Sequence, residues 1–330
     1  MALKIALIGL NRIGASLGLA LTRSDRELIC VGYDEEPSVA NAAKKLGAIT
    51  KSYLALHRCV RDAQVIVLAC PLDEVRENLE QIADHAPVNT VVIDTSPDKT
   101  RVAEWAQEIL PENKFFTGWT LALNHEYLHD TSMGVEAAIP DLFSNSLIGI
   151  NDLPGTPEAV LKLSSDLVRI VGATPYLVDS MEIDGLIAMT QELPRLSALA
   201  LLLATVDSSG WHEARKFASH DYAMATQPVL NVPERKSLGL SLHLNRENAV
   251  RLIDDLNRAL LHLRRQLEEG DREALQKDID HAIEQRVLWL EQRRLMKWDS
   301  PGHTQRPRPQ GPSLLGDWLD SRLQKGKDRT

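Results

Sequence analysis

The fold of this chain follows from one stretch near its start, Lys4-Ile5-Ala6-Leu7-Ile8-Gly9-Leu10-Asn11-Arg12-Ile13-Gly14, which continues as Ala15-Ser16-Leu17-Gly18-Leu19-Ala20-Leu21. A short apolar run ends in a glycine-containing turn and continues as an apolar segment with helical spacing, the layout of a phosphate-binding strand–turn–helix unit. Such a turn directs backbone N–H groups and the positive end of a helix dipole to one point. The stretch therefore predicts a site for a dinucleotide pyrophosphate.

The glycine pattern of this turn is incomplete. Gly9 and Gly14 hold the first and third positions of G-x-G-x-x-G, and Asn11 replaces the second glycine. Asn adopts positive φ more readily than most residues, so the turn can form, but its side chain fills space that glycine leaves open. We predict cofactor contacts along the whole turn, at Gly9, Leu10, Asn11, Arg12, Ile13 and Gly14. The alternatives are a structural turn without a ligand and, for Arg12, either pairing with the pyrophosphate or a solvated surface charge.

A second strand is predicted from Glu27 to Asp34, and an acidic cluster begins at its last residue. Asp34 follows the turn at about the interval from which a carboxylate reaches the ribose hydroxyls of adenosine. The cluster Asp34-Glu35-Glu36 has no adjacent Arg, so a 2′-phosphate would meet only negative charge. The sequence therefore favours NAD as the cofactor over NADP.

Strand-like and helix-like segments alternate through the first half of the chain. Strands are predicted at 64–71, 90–94, 115–118, 146–150 and 174–178, and helices at 37–46, 73–83 and 157–171. This order predicts a Rossmann-type α/β fold with a doubly wound, mostly parallel sheet. Residues just past the carboxyl ends of such strands line the ligand crevice. We therefore expect Cys70, Pro71 and Asp94 to contact the cofactor, and Ser96 and Thr120 to lie at its nicotinamide end.

The second half of the chain has helical spacing instead. Strand-like runs end near Ser180, and the segments 181–206, 246–269 and 272–295 are predicted helices. One helical face carries a leucine stripe, Leu252, Leu256, Leu260, Leu263 and Leu267. Such helices need a partner surface, which is either each other or a second subunit, so we predict a homodimer through this region.

These segments divide the chain into three predicted parts. They are a dinucleotide-binding domain (1–179), an all-helical second domain for substrate and dimerisation (180–298), and a flexible Pro-rich tail (299–330). The tail ends in a short amphipathic segment over 313–324, which either docks on the body or on a partner or is a loosely held terminal helix.

Composition excludes several classes of function. A net charge of −9 disfavours nucleic-acid and anionic-membrane binding. Three cysteines without metal-ligand spacing, Cys30, Cys59 and Cys70, predict reduced thiols, no metal and a cytoplasmic protein. No signal peptide is expected before the first strand. The longest apolar run, Leu196 to Val206, is too short to span a bilayer and is interpreted as a buried core helix.

Several of these segments together resemble the prephenate and arogenate dehydrogenase family. The resemblance covers residues 3 to 295 and is carried by Ile8-Gly9-Leu10 to Ser16-Leu17, Val65 to Pro71 with Leu72-Asp73-Glu74-Val75, and Val92-Ile93-Asp94 with Lys99. In the helical half, Gln191-Glu192-Leu193-Pro194-Arg195 is similar to the family's helix with a Leu-Pro pair, and Gly210 to Ala218 is similar to its substrate segment.

This resemblance implies an NAD(P)-dependent oxidoreductase of tyrosine biosynthesis. The family oxidises prephenate or arogenate, and hydride loss from the ring carbon accompanies decarboxylation. A histidine accepts the proton of the ring hydroxyl, a serine orients that hydroxyl, and Arg and His side chains hold the carboxylates. The implied partner is a small carboxylated substrate bound between the two domains.

The chain departs from the family pattern where the chemistry occurs. The motif of Gly, any residue, His and Pro aligns with Gly118-Trp119-Thr120-Leu121, which puts Thr120 at the position of the base. The family's Gly-Ser aligns with Ser96-Pro97. The histidines that flank the Leu-Pro pair become Glu192 and Arg195, and the Arg-Asp and later Arg of the substrate segment become His212-Glu213 and Lys216.

Each candidate residue keeps an alternative. The predicted catalytic residues are Ser96, Thr120 and His125, although Ser96 could instead cap a helix beginning at Pro97, and His125 and His129 could be solvated loop residues. The predicted substrate-binding residues are Arg195, Arg215 and Lys216, which could also be surface charges. Glu192 would repel an anionic substrate.

Two functions from different classes follow. The first is a dehydrogenase of the prephenate or arogenate type with a degenerate active site. The second is a catalytically silent, dinucleotide-binding relative that acts as a sensor or as the partner of an active enzyme. Dehydrogenation of another small hydroxy acid is a third.

Overall fold

The computed structural model describes residues 2–24, 26–230 and 235–298. The predicted tail over 299–330, with its terminal helix, lies outside the described residues. The chain forms two compact units, one containing Met1–Ser180 and one formed by Met181–Lys297.

The first unit is an α/β structure. Its strands are β1 (Leu3–Ile8), β2 (Leu28–Tyr33), β3 (Lys51–Tyr53), β4 (Val65–Leu68), β5 (Val91–Asp94), β6 (Phe115–Leu121), β7 (Leu147–Asn151) and β8 (Thr174–Val178). Its helices are α1 (Arg12–Thr22), α2 (Pro37–Leu46), α3 (Leu56–Val60), α4 (Leu72–His85), α5 (Lys99–Ile109) and α6 (Glu158–Ile170). Short 3₁₀ turns follow β6 at His125–Tyr127 and Val135–Ala137.

The strands form one sheet in the order β3-β2-β1-β4-β5-β6-β7-β8. All neighbouring pairs are parallel except β6 and β7, which are antiparallel. The order reverses beside β1, since β2 lies on one side of it and β4 on the other. A doubly wound sheet binds its ligand at such a reversal, outside the carboxyl ends of the strands. The predicted Rossmann-type, mostly parallel fold is confirmed.

Burial on both faces of the sheet explains the continuous apolar runs of the central strands. Every residue of β4 and of β5 is buried, including the terminal Asp94. One large core cluster joins alternate residues of the central strands, such as Leu7, Val67 and Ile93, to apolar residues of α1, α2 and α6. Helices on both faces of a parallel sheet require this composition.

Strand β3 and helix α3 of this unit were not predicted. Strand β3 has only three residues, Lys51–Tyr53, and pairs with β2 at the edge of the sheet. It lacks an apolar run because an edge strand is only half covered. The short helix α3 was also missed, since five residues are too few to show helical periodicity.

The second unit is all-helical within the described residues. It contains α7 (Ser180–Ile187), a π-helical turn (Ala188–Glu192), α8 (Leu193–Val206), α9 (Trp211–Ala214), α10 (His220–Thr226), α11 (Arg235–Leu244), α12 (Arg246–Glu269) and α13 (Arg272–Leu295). The predicted limits of α12 and α13 match the observed ones, because Gly270 ends α12 in a left-handed conformation and Asp271 caps α13.

The apolar helix α8 is not the buried core helix that the sequence suggested. Ala198 is its one buried residue, and Leu203 is 59% exposed. The helix contacts α10, α12 and the 3₁₀ turn Gln227–Val229, which cover only part of its surface. Among the described residues, the continuous run Ser180–Val206 has the length and composition of a membrane span, with 22% of its most apolar window buried; a core helix meets the same criteria.

The leucine stripe of α12 is buried only at its start. Leu252 is buried, whereas Leu260 and Leu267 are 54% and 66% exposed. Helix α13 likewise exposes Ile283 and Val287. These helices contact each other, yet a wide apolar surface of the unit stays open to solvent within the single chain.

Candidate active site at the carboxyl edge of the sheet

The glycine turn after β1 lies tightly against the end of β4. Gly9 has a φ of +85°, and a Cβ there would lie 2.6 Å from the carbonyl oxygen of Ala69. A Cβ on Gly14 would lie 2.0 Å from the carbonyl oxygen of Gly9. Both positions therefore require glycine, which explains why these two members of the pattern are present.

Asn11 does not use the positive φ that the sequence permitted. Its φ is −61° and its ψ is −172°, and it is the N-cap of α1. The side-chain Oδ1 accepts the N–H groups of Ile13 at 3.0 Å and Gly14 at 3.2 Å. Its Nδ2 donates to the carbonyl oxygen of Ala69 at 3.1 Å. The side chain is therefore fixed between the start of α1 and the end of β4.

Asp34 is held directly at the glycine turn. Its Oδ2 accepts the backbone N–H of Leu10 at 2.7 Å, and its Oδ1 accepts the N–H of Glu36 at 3.0 Å. A carboxylate oxygen can accept a second hydrogen bond, so both oxygens retain capacity for a ribose diol. The residues present thus fit the adenosine side of a dinucleotide.

Arg12 is not the solvated surface charge that was one of its two predicted roles. Its guanidinium donates to Oδ2 of Asp130 at 2.6 Å and to the carbonyl oxygen of Ser132 at 2.7 Å, and its side chain is only 11% exposed. Hence it is paired within the chain, and its pairing with the pyrophosphate stays a prediction. It ties the connection between β6 and β7 to the start of α1, where Ser16 Oγ also accepts the N–H of Ile139 at 3.0 Å.

A buried polar cluster lies at the end of β5. Oδ2 of Asp94 accepts the hydroxyl of Ser96 at 2.7 Å and the ammonium of Lys99 at 2.8 Å. The Lys99 ammonium also donates to the Asp94 carbonyl at 3.0 Å. Ser96 therefore does not cap a helix beginning at Pro97, because α5 begins at Lys99 and the hydroxyl is directed to Asp94.

Gly118 makes room for this cluster. It pairs with Asp94 across β5 and β6. A Cβ on Gly118 would lie 2.8 Å from Cδ of Lys99 and 3.1 Å from Nδ2 of Asn151. The glycine thus allows the lysine side chain to cross β6 and reach Asp94.

Two of the predicted catalytic residues have a side-chain atom that is buried without a hydrogen-bond partner among the described residues. These atoms are Oγ1 of Thr120, on β6, and Nδ1 of His125, in the following 3₁₀ turn. His129, the other candidate histidine, is exposed. A threonine hydroxyl is too weakly basic to take a proton near neutral pH, so Thr120 can orient a hydroxyl but cannot replace a histidine base.

The three thiols are buried and free, as predicted from the lack of pairing or metal spacing. Burial raises the pKa of Cys30 and of Cys59 to about 12 and raises that of Cys70 as well. Cys70 follows β4, and its Sγ accepts the Nδ2 of Asn78 at 3.2 Å. Cys70 and Pro71, which precedes α4, therefore contribute shape rather than reactivity.

In the second unit, Glu192 is the most buried charged group, at 1% exposure. Its Oε1 accepts the hydroxyl of Ser241 at 2.7 Å, and its Oε2 accepts Nδ2 of Asn245 at 3.1 Å. Burial raises the pKa of this carboxyl, while those hydrogen bonds and the charge of Arg195 oppose the rise. Burial in turn lowers the pKa of Arg195. Sequence reasoning treated Glu192 only as a repulsive charge and missed its two hydrogen-bond partners.

Comparison with known proteins agrees with this architecture. The model of the nucleotide-binding domain of prephenate dehydrogenase matches residues 17–177. A prephenate dehydrogenase of Bacillus subtilis is 24% identical over 273 residues, which are 82% of this chain and 72% of that protein. One from Lactococcus lactis is 27% identical over 246 residues, 70% of this chain and 65% of that protein.

The chain is thus similar to prephenate dehydrogenases, through the nucleotide-binding domain over residues 17–177 and through these two relatives. The match to the family model begins inside α1, after the glycine turn. The departure at Asn11 therefore lies just outside the matched region.

Solved members of the family share the fold. A prephenate dehydrogenase of Aquifex aeolicus, in complex with hydroxyphenyl propionate and NAD⁺, superimposes with a TM-score of 0.76 at 19% identity, covering 87% of this chain and 98% of that one. An arogenate dehydrogenase of Synechocystis gives 0.68 at 20% identity, covering 87% and 100%. The NAD⁺ in the Aquifex structure agrees with the cofactor predicted here.

Two predicted substrate-binding residues are engaged elsewhere. Lys216 pairs with Glu213 at 2.7 Å, and Arg215 lies 3.3 Å from Nδ1 of His212. The segment from His212 to Ala218 is exposed throughout. Within this chain these side chains form surface pairs, whereas the partly buried Arg195 interacts with the charge of Glu192.

Proposed function

We propose that this protein is an NAD-dependent dehydrogenase of the prephenate and arogenate type that acts without the family's catalytic histidine. The observation that carries this proposal is the buried cluster of Asp94, Ser96 and Lys99, which fixes a hydroxyl at the carboxyl edge of a dinucleotide-binding sheet. Such an edge is where the reactive end of a dinucleotide meets its substrate.

The cofactor assignment rests on the residues of the glycine turn. Asp34 is positioned to accept the ribose hydroxyls, and the acidic cluster that it begins disfavours a 2′-phosphate. NAD supplies the acceptor for the hydride that leaves the substrate carbon. The substrate is a small carboxylated molecule, and Arg195, a partly buried cation of the second unit, is the residue proposed to bind its carboxylate.

Ser96 handles the substrate hydroxyl in this proposal. Because the serine proton is donated to Asp94, the lone pairs of Oγ remain available to accept the hydroxyl proton of the substrate. As the substrate proton moves to Oγ, the serine proton moves to Oδ2 of Asp94. Lys99 stabilises the charge of Asp94 before the transfer. Thr120 and His125 supply further hydrogen-bonding atoms at the same edge.

A second candidate is the catalytically silent relative, a dinucleotide-binding sensor or partner protein. It is favoured by Thr120 at the position of the base and by the engagement of Arg215 and Lys216 in surface pairs. Loss of a positioned base removes about two to four orders of magnitude in rate, so a residual scaffold could bind without turnover.

Turnover assays separate these candidates. The full chain is incubated with NAD⁺ and either prephenate or arogenate, and the near-ultraviolet absorbance of reduced cofactor is followed. We expect slow turnover that falls by about two orders of magnitude in Ser96→Ala and survives in His125→Gln. Binding of NAD⁺ without turnover of either substrate would favour the silent relative, and a screen of small hydroxy acids then tests the remaining alternative.

Localisation, assembly and partners are part of this proposal. We infer that the protein is a cytoplasmic homodimer that associates through the helical unit. We further infer that its partners include neither nucleic acids nor membranes. The exposed apolar side chains of α12 and α13 support the dimer, because an apolar surface of this extent is usually covered by another subunit.

A further inference from the structure

The start of α1 supplies its own ligand to the N–H groups that a pyrophosphate would use. Ala15 donates to the carbonyl oxygen of Asn11 at 2.9 Å, so the N–H groups of Arg12, Ile13 and Gly14 precede the helical hydrogen-bonding pattern. Two of these three, at Ile13 and Gly14, donate to Oδ1 of Asn11.

A helix binds a phosphate through these first-turn N–H groups, assisted by the positive end of its dipole. A neutral carboxamide oxygen about 3 Å from two such donors occupies the positions that a phosphate oxygen would take. In the pattern G-x-G-x-x-G the residue at this position is glycine, which leaves the donors open.

The Asn11 side chain is also fixed from the opposite side. Its Nδ2 donates to the Ala69 carbonyl at the end of β4, so rotation away from the helix breaks three hydrogen bonds. The N–H groups of Ile13 and Gly14 are therefore satisfied without a ligand. The same hydrogen bonds that stabilise the turn make these N–H groups less available to a phosphate.

We infer that Asn11 is an affinity-setting residue whose carboxamide competes with the cofactor pyrophosphate for the N–H groups of Ile13 and Gly14. This inference rests on the proposed binding of NAD. The side chain lowers the affinity of the turn for dinucleotide while it stabilises the free protein.

Four forms of the full-length protein test this competition: wild type, Asn11→Gly, Asn11→Ala and Asn11→Asp. Affinity for NAD⁺ and for NADH is measured by titration calorimetry, and unfolding of the ligand-free proteins is measured by thermal denaturation. Asn11→Gly removes the competitor and restores the open pattern, so we expect binding about two- to fivefold tighter, in line with the small contribution of one helix cap. Asn11→Ala should bind more tightly than wild type, but less tightly than Asn11→Gly.

The aspartate variant is the matched control, because it can cap the same N–H groups with a negative charge. We expect it to bind NAD⁺ at least tenfold more weakly than wild type without losing thermal stability. Affinity and ligand-free stability therefore change in opposite directions across the series. A purely structural role would instead lower both in Asn11→Gly and Asn11→Ala.

The outcomes separate the two proposals. If Asn11→Gly binds with the same affinity as wild type or more weakly, the competition is overturned while NAD binding stands. If neither wild type nor any variant binds NAD⁺ or NADH, the proposed function fails and this inference fails with it.

Discussion

The ammonium of Lys99 lies 2.8 Å from Oδ2 of Asp94, and these side chains are 1% and 0% exposed. Two opposite charges are thus removed from water together at the end of β5. Removing one partner of a buried pair leaves the other uncompensated, which costs far more than the pair itself contributes.

Replacing Lys99 with Met should therefore destabilise the protein by about 3 to 5 kcal/mol, because Asp94 remains buried without its cation. Urea denaturation followed by circular dichroism measures this loss. The matched control is Arg101→Ala, which removes the exposed pair with Glu104 and should cost less than about 1 kcal/mol. Equal losses in the two variants would show that the buried pair does not have the predicted role.

Gly118→Ala places a Cβ 2.8 Å from Cδ of Lys99. Because Lys99 is itself enclosed, the side chain can shift only by disturbing its bonds to Asp94, and we expect a loss of about 1 to 3 kcal/mol. Gly210→Ala is the control, since a Cβ there meets nothing within 4 Å. Thermal unfolding of both variants gives the comparison, and an unchanged Gly118→Ala protein would contradict the proposed path of Lys99 across β6.

Glu192 should make stability depend on pH. Burial raises its pKa above the usual glutamate value of 4.5, against the opposing hydrogen bonds from Ser241 and Asn245 and the charge of Arg195; the charge of Asp184 adds to the rise. The folded protein therefore binds the proton more tightly than the unfolded chain, and stability falls as the pH rises from about 4.5 through the raised pKa. Denaturation of wild type and Glu192→Gln across this range measures the effect.

We expect the free energy of unfolding of wild type to fall relative to that of Glu192→Gln as the pH rises, because the amide does not ionise. Glu268→Gln, an exposed carboxyl on α12, serves as the control and should follow wild type. Parallel pH profiles for wild type and Glu192→Gln would contradict a raised pKa at Glu192.

The exposed end of the leucine stripe should control assembly. Within one chain Leu260 is 54% exposed and Leu267 is 66% exposed. Changing both residues to Glu places two charges on this apolar surface. If a second subunit covers this surface, the protein changes from dimer to monomer in sedimentation velocity. Arg264→Glu, which alters an exposed charge on the same helix, should remain dimeric. A monomeric wild type would refute the proposed dimer.

Much of the fold could be predicted because its signals are local. The apolar runs of β4 and β5, the helical spacing of α12 and α13, and glycines at Gly9 and Gly14 each lie within one short segment. Burial on both faces makes a strand continuously apolar, and helical periodicity needs no distant partner. The edge strand β3 was not predicted, because residues that are only half covered need not be apolar.

The candidate site depended on contacts that no local pattern encodes. Sequence alone determined the strand–turn–helix start, the acidic Asp34 and the helical second half, and the resemblance put Thr120 where the family has its histidine. Tertiary structure decided that Arg12 pairs with Asp130, 118 residues away, and that Lys99 reaches Asp94 past Gly118. The physical reason is that a polar side chain's partner is set by which backbone segments fold against it, whereas apolar periodicity is set by the segment itself.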